Sequence, residues 1–349
     1  MFLILVGVLL AGYTTAYVVS EDVRYLTRAG IEETRILQAR EDIADLVADP
    51  ATDSTTRAAL TLVLDARDFA AELGLDAKKT YTTYADVERD TLLLVLSASP
   101  RNCLCPHLWK FPIVGRVPYK GFFDFEVARR TAERMEREGY DVYMRPSAAF
   151  STLGWFNDPL LSTAMSRDSM ELAALVIHEI AHNTLYVKSA TPFNESFAQM
   201  VGYRGAEAFF RQRGDSAAAQ RAADRWHDEI LLAGYYRELG MKLDSLYQSA
   251  DSGAIDRGRS EISAWARQRL ETVLGPELKT YRIGRLTERP INNAQIIAAR
   301  IYRDRLHLFE EWFQRHGARV DSAVASLNRL VEGVEGDSAY SVLERTLAQ

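Results

Sequence analysis

The spacing of apolar side chains along the chain changes at about residue 91. From Val23 to Leu75 the apolar positions recur at helical spacing, and the run is interrupted at Asp49-Pro50. This pattern predicts a helical hairpin within residues 21–90, and the second helix of the hairpin is expected around Thr56 to Leu73.

Residues 91–160 carry short β-branched and aromatic runs that are bounded by Gly and Pro. The runs lie at 91–96, 111–115 and 141–144. Their length and composition predict the strands of a small mixed sheet. One amphipathic helix, roughly Phe125 to Glu138, is predicted among the strands, and it ends before Gly139, a residue type that commonly follows the last helical turn.

Helical periodicity returns near Asp168 and continues through residues 168–215 and 216–349. Because the sheet segment leads directly into this helical part, we expect one domain over residues 91–349 rather than two separable domains. The predicted fold class is α+β and predominantly helical, with a small mixed sheet.

The first 19 residues contain no charged side chain, and a helix of that length is able to cross a bilayer. We predict that residues 1–20 are a membrane anchor or signal segment, so that the protein is exported and faces the periplasm or the extracellular side. Cleavage after Ala16 and retention as an anchor both remain open, and a buried core helix is the third alternative.

The charge balance adds one exclusion. The formal net charge of −6 comes without a long run of one sign, so the sequence does not indicate a nucleic-acid partner.

Cys103 and Cys105 are separated by a single residue, and closing so small a ring is strained. A disulfide between them is therefore possible but is not the expectation.

An apolar run contains the pattern His-Glu-x-x-His, formed by His178, Glu179 and His182. The run starts like a helix, with Asp168 and Glu171 spaced as a capping box. The two histidines are one helical turn apart, so both imidazoles reach one metal ion while Glu179 projects beside it. The alternative is two histidines satisfied within a helix core, but composition alone produces the pattern only about once in a hundred such sequences.

A catalytic zinc site needs a third protein ligand and an open fourth position. Glu195 lies thirteen residues after His182 and opens a new helical pattern behind the Thr191-Pro192 break. A short loop lets this helix fold back beside the first, so we predict Glu195 as the third ligand and Zn²⁺ as the cofactor. The alternative for Glu195 is a solvated surface glutamate.

Other candidates are less specific. Tyr302 and the pair Tyr235-Tyr236 each offer a phenol for an oxyanion, although a buried core tyrosine is the default for each of them. The segment from Cys103 to His107 has ligand spacings shorter than those of a zinc knuckle. His227, His307 and His316 lie in helical surface patterns.

Several segments accompany the zinc motif along nearly the whole chain. They are Asp49-Pro-Ala-Thr52, Trp109-Lys-Phe-Pro112, Tyr119-Lys-Gly121, Ser151-Thr-Leu-Gly-Trp-Phe-Asn-Asp-Pro159, Tyr186-Val-Lys188, Asn194-Glu-Ser-Phe-Ala198 and Ile291-Asn-Asn-Ala294. Together they resemble the bacterial "putative aminopeptidases" of the gluzincin type.

The resemblance implies a zincin-like catalytic domain with an active-site helix, in which Glu195 matches the metal-binding Asn-Glu-x-x-Ala motif. It also implies substrate-side roles for Asn293 and Tyr302, which lie in and after the Asn-Asn-Ala segment. Two departures are visible. Tyr13 stands where many members have a lipidated cysteine, and the chain lacks the Gly-x-Met-Glu-Asn segment that binds the substrate amine in well-known aminopeptidases.

We therefore predict a zinc-dependent peptidase, and an aminopeptidase in particular, with Glu179 as the base and Tyr302 as the oxyanion donor. The segment around Ser151 and Gly154 is predicted as a sheet edge for an extended peptide substrate, with a plain structural strand as the alternative. Two other functions stay open: a zinc endopeptidase with the same site, and a membrane-tethered zinc-binding protein without turnover. The sequence indicates no oligomeric state.

Overall fold

The structure is a computed structural model that describes residues 2–111, 115–148, 159–166, 168–249, 251–287 and 292–349. About 65% of it is helical, and the remainder includes small mixed sheets. The expected fold class, α+β and predominantly helical, is confirmed.

The helices are α1 Phe2–Val19, α2 Glu21–Gln38, α3 Ile43–Ala48, α4 Ser54–Glu72, α5 Phe125–Arg137, α6 Ser169–Thr184, α7 Thr191–Gln212, α8 Ser216–Ser249, α9 Ser252–Arg269, α10 Ile283–Thr287, α11 Asn293–Ile301, α12 Leu306–Arg315, α13 Val320–Leu330 and α14 Ser338–Leu347. A 3₁₀ turn lies at Ser162–Ala164, and a π-helical turn at Leu270–Leu274 continues α9. The strands are β1 Arg40–Asp42, β2 Thr83–Ala85, β3 Leu93–Pro100, β4 Trp109–Phe111, β5 Gly115–Val117, β6 Tyr119–Phe122, β7 Tyr140–Ser147 and β8 Leu160–Leu161.

The N-terminal part is more divided than a two-helix hairpin. After α2 the chain forms the short strand β1 and the separate helix α3 before α4 begins. The side chain of Asp53 starts α4 by accepting hydrogen bonds from the backbone N–H groups of Thr55 and Thr56. Within the described residues, no helix combines the length and the apolar character needed to cross a membrane.

The main sheet has the strand order β6-β3-β7, and both pairings are antiparallel. One face packs against α5 through a cluster that includes Leu96, Phe122 and Ala132. Because side chains alternate along a strand, Tyr119, Tyr143 and Arg145 belong to the opposite face. That opposite face lies toward α11, since the backbone N–H of Asn293 donates to Asp141 of β7.

The largest core cluster joins α4, α6, α7 and α8 with the C-terminal helices. Phe193 and Phe197 of α7 and Trp226 of α8 are fully buried there. Burial of side chains of this size stabilises the fold by about 1.5–3 kcal/mol each, as an upper estimate. The helix that carries the His-Glu-x-x-His pattern, α6, runs through this cluster and is therefore held on several sides.

The expectation for the two cysteines was wrong. Cys103 and Cys105 form a disulfide in the loop between β3 and β4. The hydroxyl of Ser99 donates to the backbone carbonyls of both cysteines. The loop is thus folded into a compact turn at the end of β3, and this turn brings the two sulfur atoms together.

Candidate metal centre

Helix α6 positions the two histidines. Asp168 caps its N-terminus by accepting a hydrogen bond from the backbone N–H of Met170. Glu171 does not complete the predicted capping box, because its carboxylate pairs with Arg225 instead. The apolar side chains of α6 are buried in the main core, which leaves His178 and His182 on the side that faces α7.

Helix α7 carries Glu195 as its fifth residue, and it begins at Thr191 with Pro192 in the position where a missing N–H is tolerated. The buried side chain of Asn194 fixes the loop that precedes this helix. Its amide oxygen accepts from the backbone N–H of Val187 at 2.8 Å, and its amide nitrogen donates to the carbonyl of Val187 at 2.8 Å. The connection between the His182 turn and Glu195 is therefore held at both backbone groups of one residue, Val187.

Two glycines allow α7 to lie against α6. A Cβ added at Gly202 would stand 2.8 Å from the carbonyl oxygen of Ala174 and 3.1 Å from the Cβ of His178. A Cβ at Gly205 would stand 2.8 Å from a methyl group of Ile177. Such distances are too short for a real Cβ, so the glycines set how closely the two helices approach.

The side-chain donor atoms of His178, His182 and Glu195 converge. The two Nε2 atoms are 3.2 Å apart, and the carboxylate oxygens of Glu195 lie 3.5 Å from Nε2 of His178 and 3.7 Å from Nε2 of His182. Ligands at about 2.0–2.2 Å from a tetrahedral zinc ion are separated by roughly 3.3–3.6 Å. The donor set and its spacing therefore fit zinc, and it is the one such cluster among the residues that the structure describes.

The protonation states also suit a metal site. Burial raises the pKa of Glu195, but both histidines lower it by more, so the net shift is downward. Burial and the charge of His178 lower the pKa of His182 to about 4. Burial lowers the pKa of His178, but the hydrogen bond to Glu195 and the charges of Glu179 and Glu195 raise it by more. At neutral pH the carboxylate is ionised and His182 is neutral, and the space between the donors favours positive charge.

Two further groups act on the same histidine. Glu179 lies between the two histidines in the sequence, and its charge raises the pKa of His178. A hydrogen bond from His178 to Gln199 raises that pKa further. Gln199 lies one turn after Glu195 on α7, so the helix that supplies the third donor also orients the first histidine.

The pKa of the Tyr302 phenol responds to the charges of Glu195 and Glu179 at the candidate metal centre. Burial, together with the charges of Glu195 and Glu179, raises the pKa of Tyr302 to about 12. The phenol therefore stays protonated near neutral pH and remains a hydrogen-bond donor. Tyr302 caps the C-terminus of α11 and precedes Arg303, which forms an ion pair with the buried Glu229 of α8.

A second contact joins the segment that follows α11 to α7, the helix that carries Glu195. The buried hydroxyl of Ser196 donates to the backbone carbonyl of Asp304 at 2.9 Å. Glu195 precedes Ser196, and Tyr302 lies two residues before Asp304. The carboxylate donor and the phenol are thus held in one arrangement by neighbouring residues.

The predicted substrate-side role of Asn293 needs correction. The residue is only 1% exposed, and its amide nitrogen donates to the backbone carbonyls of Pro100 and Cys103. Its amide oxygen accepts from the hydroxyl of Tyr247, and its backbone N–H donates to Asp141. The oxygen and the nitrogen of the side-chain amide are thus both hydrogen-bonded within the protein, so Asn293 joins α11 to the disulfide loop.

The remaining candidates lie apart from the donors or beyond the described residues. Ser151 and Gly154 lie outside the described residues. The hydroxyl of Tyr235 donates to the carbonyl of Ala266, which places it in a separate core cluster. The pKa of Tyr236 responds to burial and then to Arg303, without a contribution from Glu195.

Sequence reasoning assigned no roles to Asn194, Gln199, Gly202 or Gly205. The spacing of the two glycines within a helical pattern is a signal for a close helix contact, since glycine weakens a helix unless a neighbour needs the space. Asn194 belongs to the Asn-Glu-x-x-Ala segment, but its contact with Val187 could not be predicted from the sequence, because its partner is a backbone group.

Comparison with known proteins identifies a family for the chain. No curated protein and no solved structure matches the chain. The model of one protein family, described as "Putative aminopeptidase", matches residues 24–338. That range covers most of the 349 residues and contains every donor of the candidate centre. The chain belongs to the "Putative aminopeptidase" family.

Proposed function

We propose that the protein is a zinc-dependent peptidase that removes N-terminal residues from peptides. The observation that carries the proposal is the convergence of His178, His182 and Glu195 at separations that fit a zinc ion. The charge of Glu179 acts on His178. The family description supports peptide hydrolysis as the reaction and aminopeptidase activity as its form.

The two histidines and Glu195 would hold the metal. When bound, zinc supplies a Lewis acid that polarises the scissile carbonyl and lowers the pKa of water. Glu179 follows His178 in the sequence and is not needed as a ligand. Its carboxylate takes the proton of the attacking water and later passes that proton to the leaving amine.

Tyr302 donates its phenolic proton in a hydrogen bond to the oxygen that gains negative charge as the peptide bond is attacked. Its raised pKa supports this role, because a phenol that stays protonated donates a hydrogen bond without being consumed as an acid. The Glu229–Arg303 ion pair and the Ser196–Asp304 hydrogen bond keep the phenol in place.

The test begins with metal analysis of the purified full-length protein. We expect about one zinc per chain. Matched peptides with free and acetylated N-termini then separate an aminopeptidase from an endopeptidase, because only an aminopeptidase loses activity when the amine is blocked. Zinc binding without hydrolysis of either peptide would favour a zinc-binding protein without turnover. Export by the N-terminal segment stays a prediction.

A further inference from the structure

The disulfide between Cys103 and Cys105 lies in a loop that reaches the protein surface. Cys105 is exposed, and Cys103 is half-buried. One residue separates the two cysteines, and a disulfide ring that small is strained. Strained and exposed disulfides are the ones that external thiols open most readily. The Cys103–Cys105 bond therefore has the features of a reactive disulfide rather than those of a purely structural one.

The loop around this disulfide is hydrogen-bonded to the first residue of α11. The amide nitrogen of Asn293 donates to the backbone carbonyl of Pro100 at 2.8 Å and to that of Cys103 at 2.9 Å. Asn293 is only 1% exposed, so a buried donor loses a partner if the Cys103 carbonyl moves away. The conformation of the disulfide loop and the position of the first turn of α11 are therefore linked.

Leu104, the residue between the two cysteines, gives the loop a second contact with α11. Its side chain packs against the core cluster that includes Leu239 of α8 and Ile296 of α11. Leu104 and Arg300 of α11 also meet at one point of α8. A Cβ added at Gly240 would stand 3.8 Å from a methyl group of Leu104 and 2.9 Å from the guanidinium of Arg300. The loop thus meets α11 near its first turn and near its last.

Helix α11 leads directly to Tyr302, the residue that caps its C-terminus. The ion pair between Arg303 and Glu229 holds the chain just after this cap. The disulfide loop holds the helix from its other end and along its buried side. The position of Tyr302 therefore depends on two sets of contacts, and one of them includes the disulfide loop.

We propose that the Cys103–Cys105 disulfide is a redox site that small thiols open, and that its opening loosens α11 and the phenol of Tyr302 at the end of that helix. An external thiolate attacks the sulfur of Cys105, forms a mixed disulfide with it and releases Cys103 as a thiolate. A second external thiolate attacks the outer sulfur of the mixed disulfide, which releases Cys105 and the oxidised thiol. Two external thiols are oxidised and one protein disulfide is reduced, and the two cysteines take up the protons that the thiols lost.

The first measurement counts free thiols in the full-length protein supplied with zinc. The protein is incubated without denaturant in glutathione at set ratios of its reduced and oxidised forms, then alkylated and weighed by mass spectrometry. The chain contains two cysteines, so each opened molecule gains two labels. We expect complete labelling in an excess of reduced glutathione. A disulfide that stays closed until the protein unfolds would overturn the redox site.

Hydrogen exchange then compares the open and the closed forms. Peptides from α11 should exchange at least about 10-fold faster when the disulfide is open, whereas peptides from α13 should exchange equally in both forms. The midpoint of thermal unfolding should change little, because a cross-link that spans so few residues hardly restricts the unfolded chain. Equal exchange of α11 in the two forms would overturn the coupling between the disulfide and the helix.

Two variants separate the disulfide from the contact that connects it to α11. The double variant Cys103→Ser, Cys105→Ser should exchange like the open wild type and should not respond to glutathione. Asn293→Ala removes the hydrogen bonds to the loop, so α11 should exchange fast in both redox states. Asn328→Ala, at an exposed position of α13, is the control and should keep the full response. Should Asn293→Ala fail to fold, slow exchange of α11 in the double serine variant would still contradict the proposal.

Turnover is a separate readout, and this part of the inference rests on the proposed peptidase function. Opening the disulfide should lower kcat, by at most the factor of about 100 expected for loss of an oxyanion donor, while zinc stays at about one per chain. If the closed form hydrolyses no peptide, the proposed function fails, but the thiol count and the exchange of α11 still decide the redox site. Unchanged kcat in protein with both thiols free would overturn the link to Tyr302.

Discussion

Gly202 of α7 faces His178 of α6 so closely that a Cβ at Gly202 would lie 3.1 Å from the Cβ of His178 and 2.8 Å from a backbone oxygen of α6. The carbonyl oxygen belongs to Ala174 and has no freedom to move aside. The spacing of the two helices at this point sets how far Glu195 stands from the two histidines.

Gly202→Ala should therefore push α7 away from α6. We expect a loss of about 1–3 kcal/mol in the free energy of unfolding, because an added methyl group in a packed contact strains its surroundings. Zinc affinity should fall by about 10-fold or more, because the donors move apart. Gly234→Ala is the control, since a Cβ at Gly234 in α8 meets nothing within 4 Å, and this variant should be as stable as the wild type or more so. Equal zinc affinity in Gly202→Ala and the wild type would contradict the role of the helix contact.

Asn194→Ala removes both side-chain hydrogen bonds to the peptide groups of Val187. The backbone groups left without partners are buried, so unfolding should become easier by about 1–3 kcal/mol. Zinc should also dissociate faster, since the loop between His182 and Glu195 loses the two hydrogen bonds that fix it. Chemical denaturation and zinc release measured with a chelator check the two effects. The exposed Asn328 of α13 provides the control, and its replacement by Ala should change neither quantity.

Tyr302→Phe removes only the phenolic hydroxyl. If that hydroxyl acts on the transition state, kcat should fall by about 100-fold while KM and zinc content stay close to the wild-type values. Tyr235→Phe is the matched control, because its hydroxyl donates to Ala266 in a different cluster. Steady-state kinetics with a free-amine peptide measure the effect. Wild-type turnover in Tyr302→Phe would assign the oxyanion to another donor.

Zinc binding should depend on pH through His178. Its pKa is raised above 6.5 in the metal-free protein, so zinc has to displace a proton from the imidazole when the pH lies below that raised pKa. Affinity should therefore fall as the pH drops from 8 to 6, and proton release on binding should grow over the same range. Calorimetry in buffers of different ionisation enthalpy measures the protons released. Affinity that does not change over this range would exclude a protonated His178 in the metal-free site.

The same shifts predict a stability window for the metal-free protein. The raised pKa of His178 contributes stability below 6.5 that is lost as the pH rises through the raised value. The lowered pKa of Glu195 contributes stability above 4.5 that is lost as the pH falls through the lowered value. The His178–Glu195 pair thus contributes most between about pH 4.5 and 6.5, whereas the lowered pKa of His182 opposes it, because that shift costs stability below pH 6.5. Glu195→Gln should remove this contribution, which denaturation at pH 5.5 and pH 8.5 will reveal.

The sequence predicted the parts of the site that depend on local periodicity. His178 and His182 fall one turn apart in any helix, and Asp168 is a common capping residue, so α6 and its histidines followed from spacing alone. Glu195 was predicted because a new helix begins near it, and the structure brings its carboxylate within 3.7 Å of both histidines.

The parts that escaped prediction depend on contacts between distant segments. Asn293 resembled a substrate residue, but its partners Pro100 and Cys103 are about 190 positions away, and sequence spacing gives no sign of such a contact. The Cys103–Cys105 disulfide depends on the turn that Ser99 stabilises.

The central claim assigns different roles to two glutamates, and one pair of variants tests it. Glu195→Ala removes one of three metal donors, so zinc affinity should fall steeply and activity with it, with part of the activity regained at high zinc concentration. Glu179→Gln leaves all three donors in place. Glu207, another carboxylate on α7, is already paired with Arg204 and Arg211, and Glu207→Gln serves as the control for a charge change on that helix.

The deciding measurement is zinc stoichiometry at low free metal, taken together with peptide hydrolysis, for the wild type and these variants. The account predicts that Glu179→Gln holds about one zinc per chain and hydrolyses peptides at least about 1,000-fold more slowly than the wild type, because an amide cannot accept the proton of water. Full zinc occupancy in Glu195→Ala, or wild-type hydrolysis by Glu179→Gln, would contradict it.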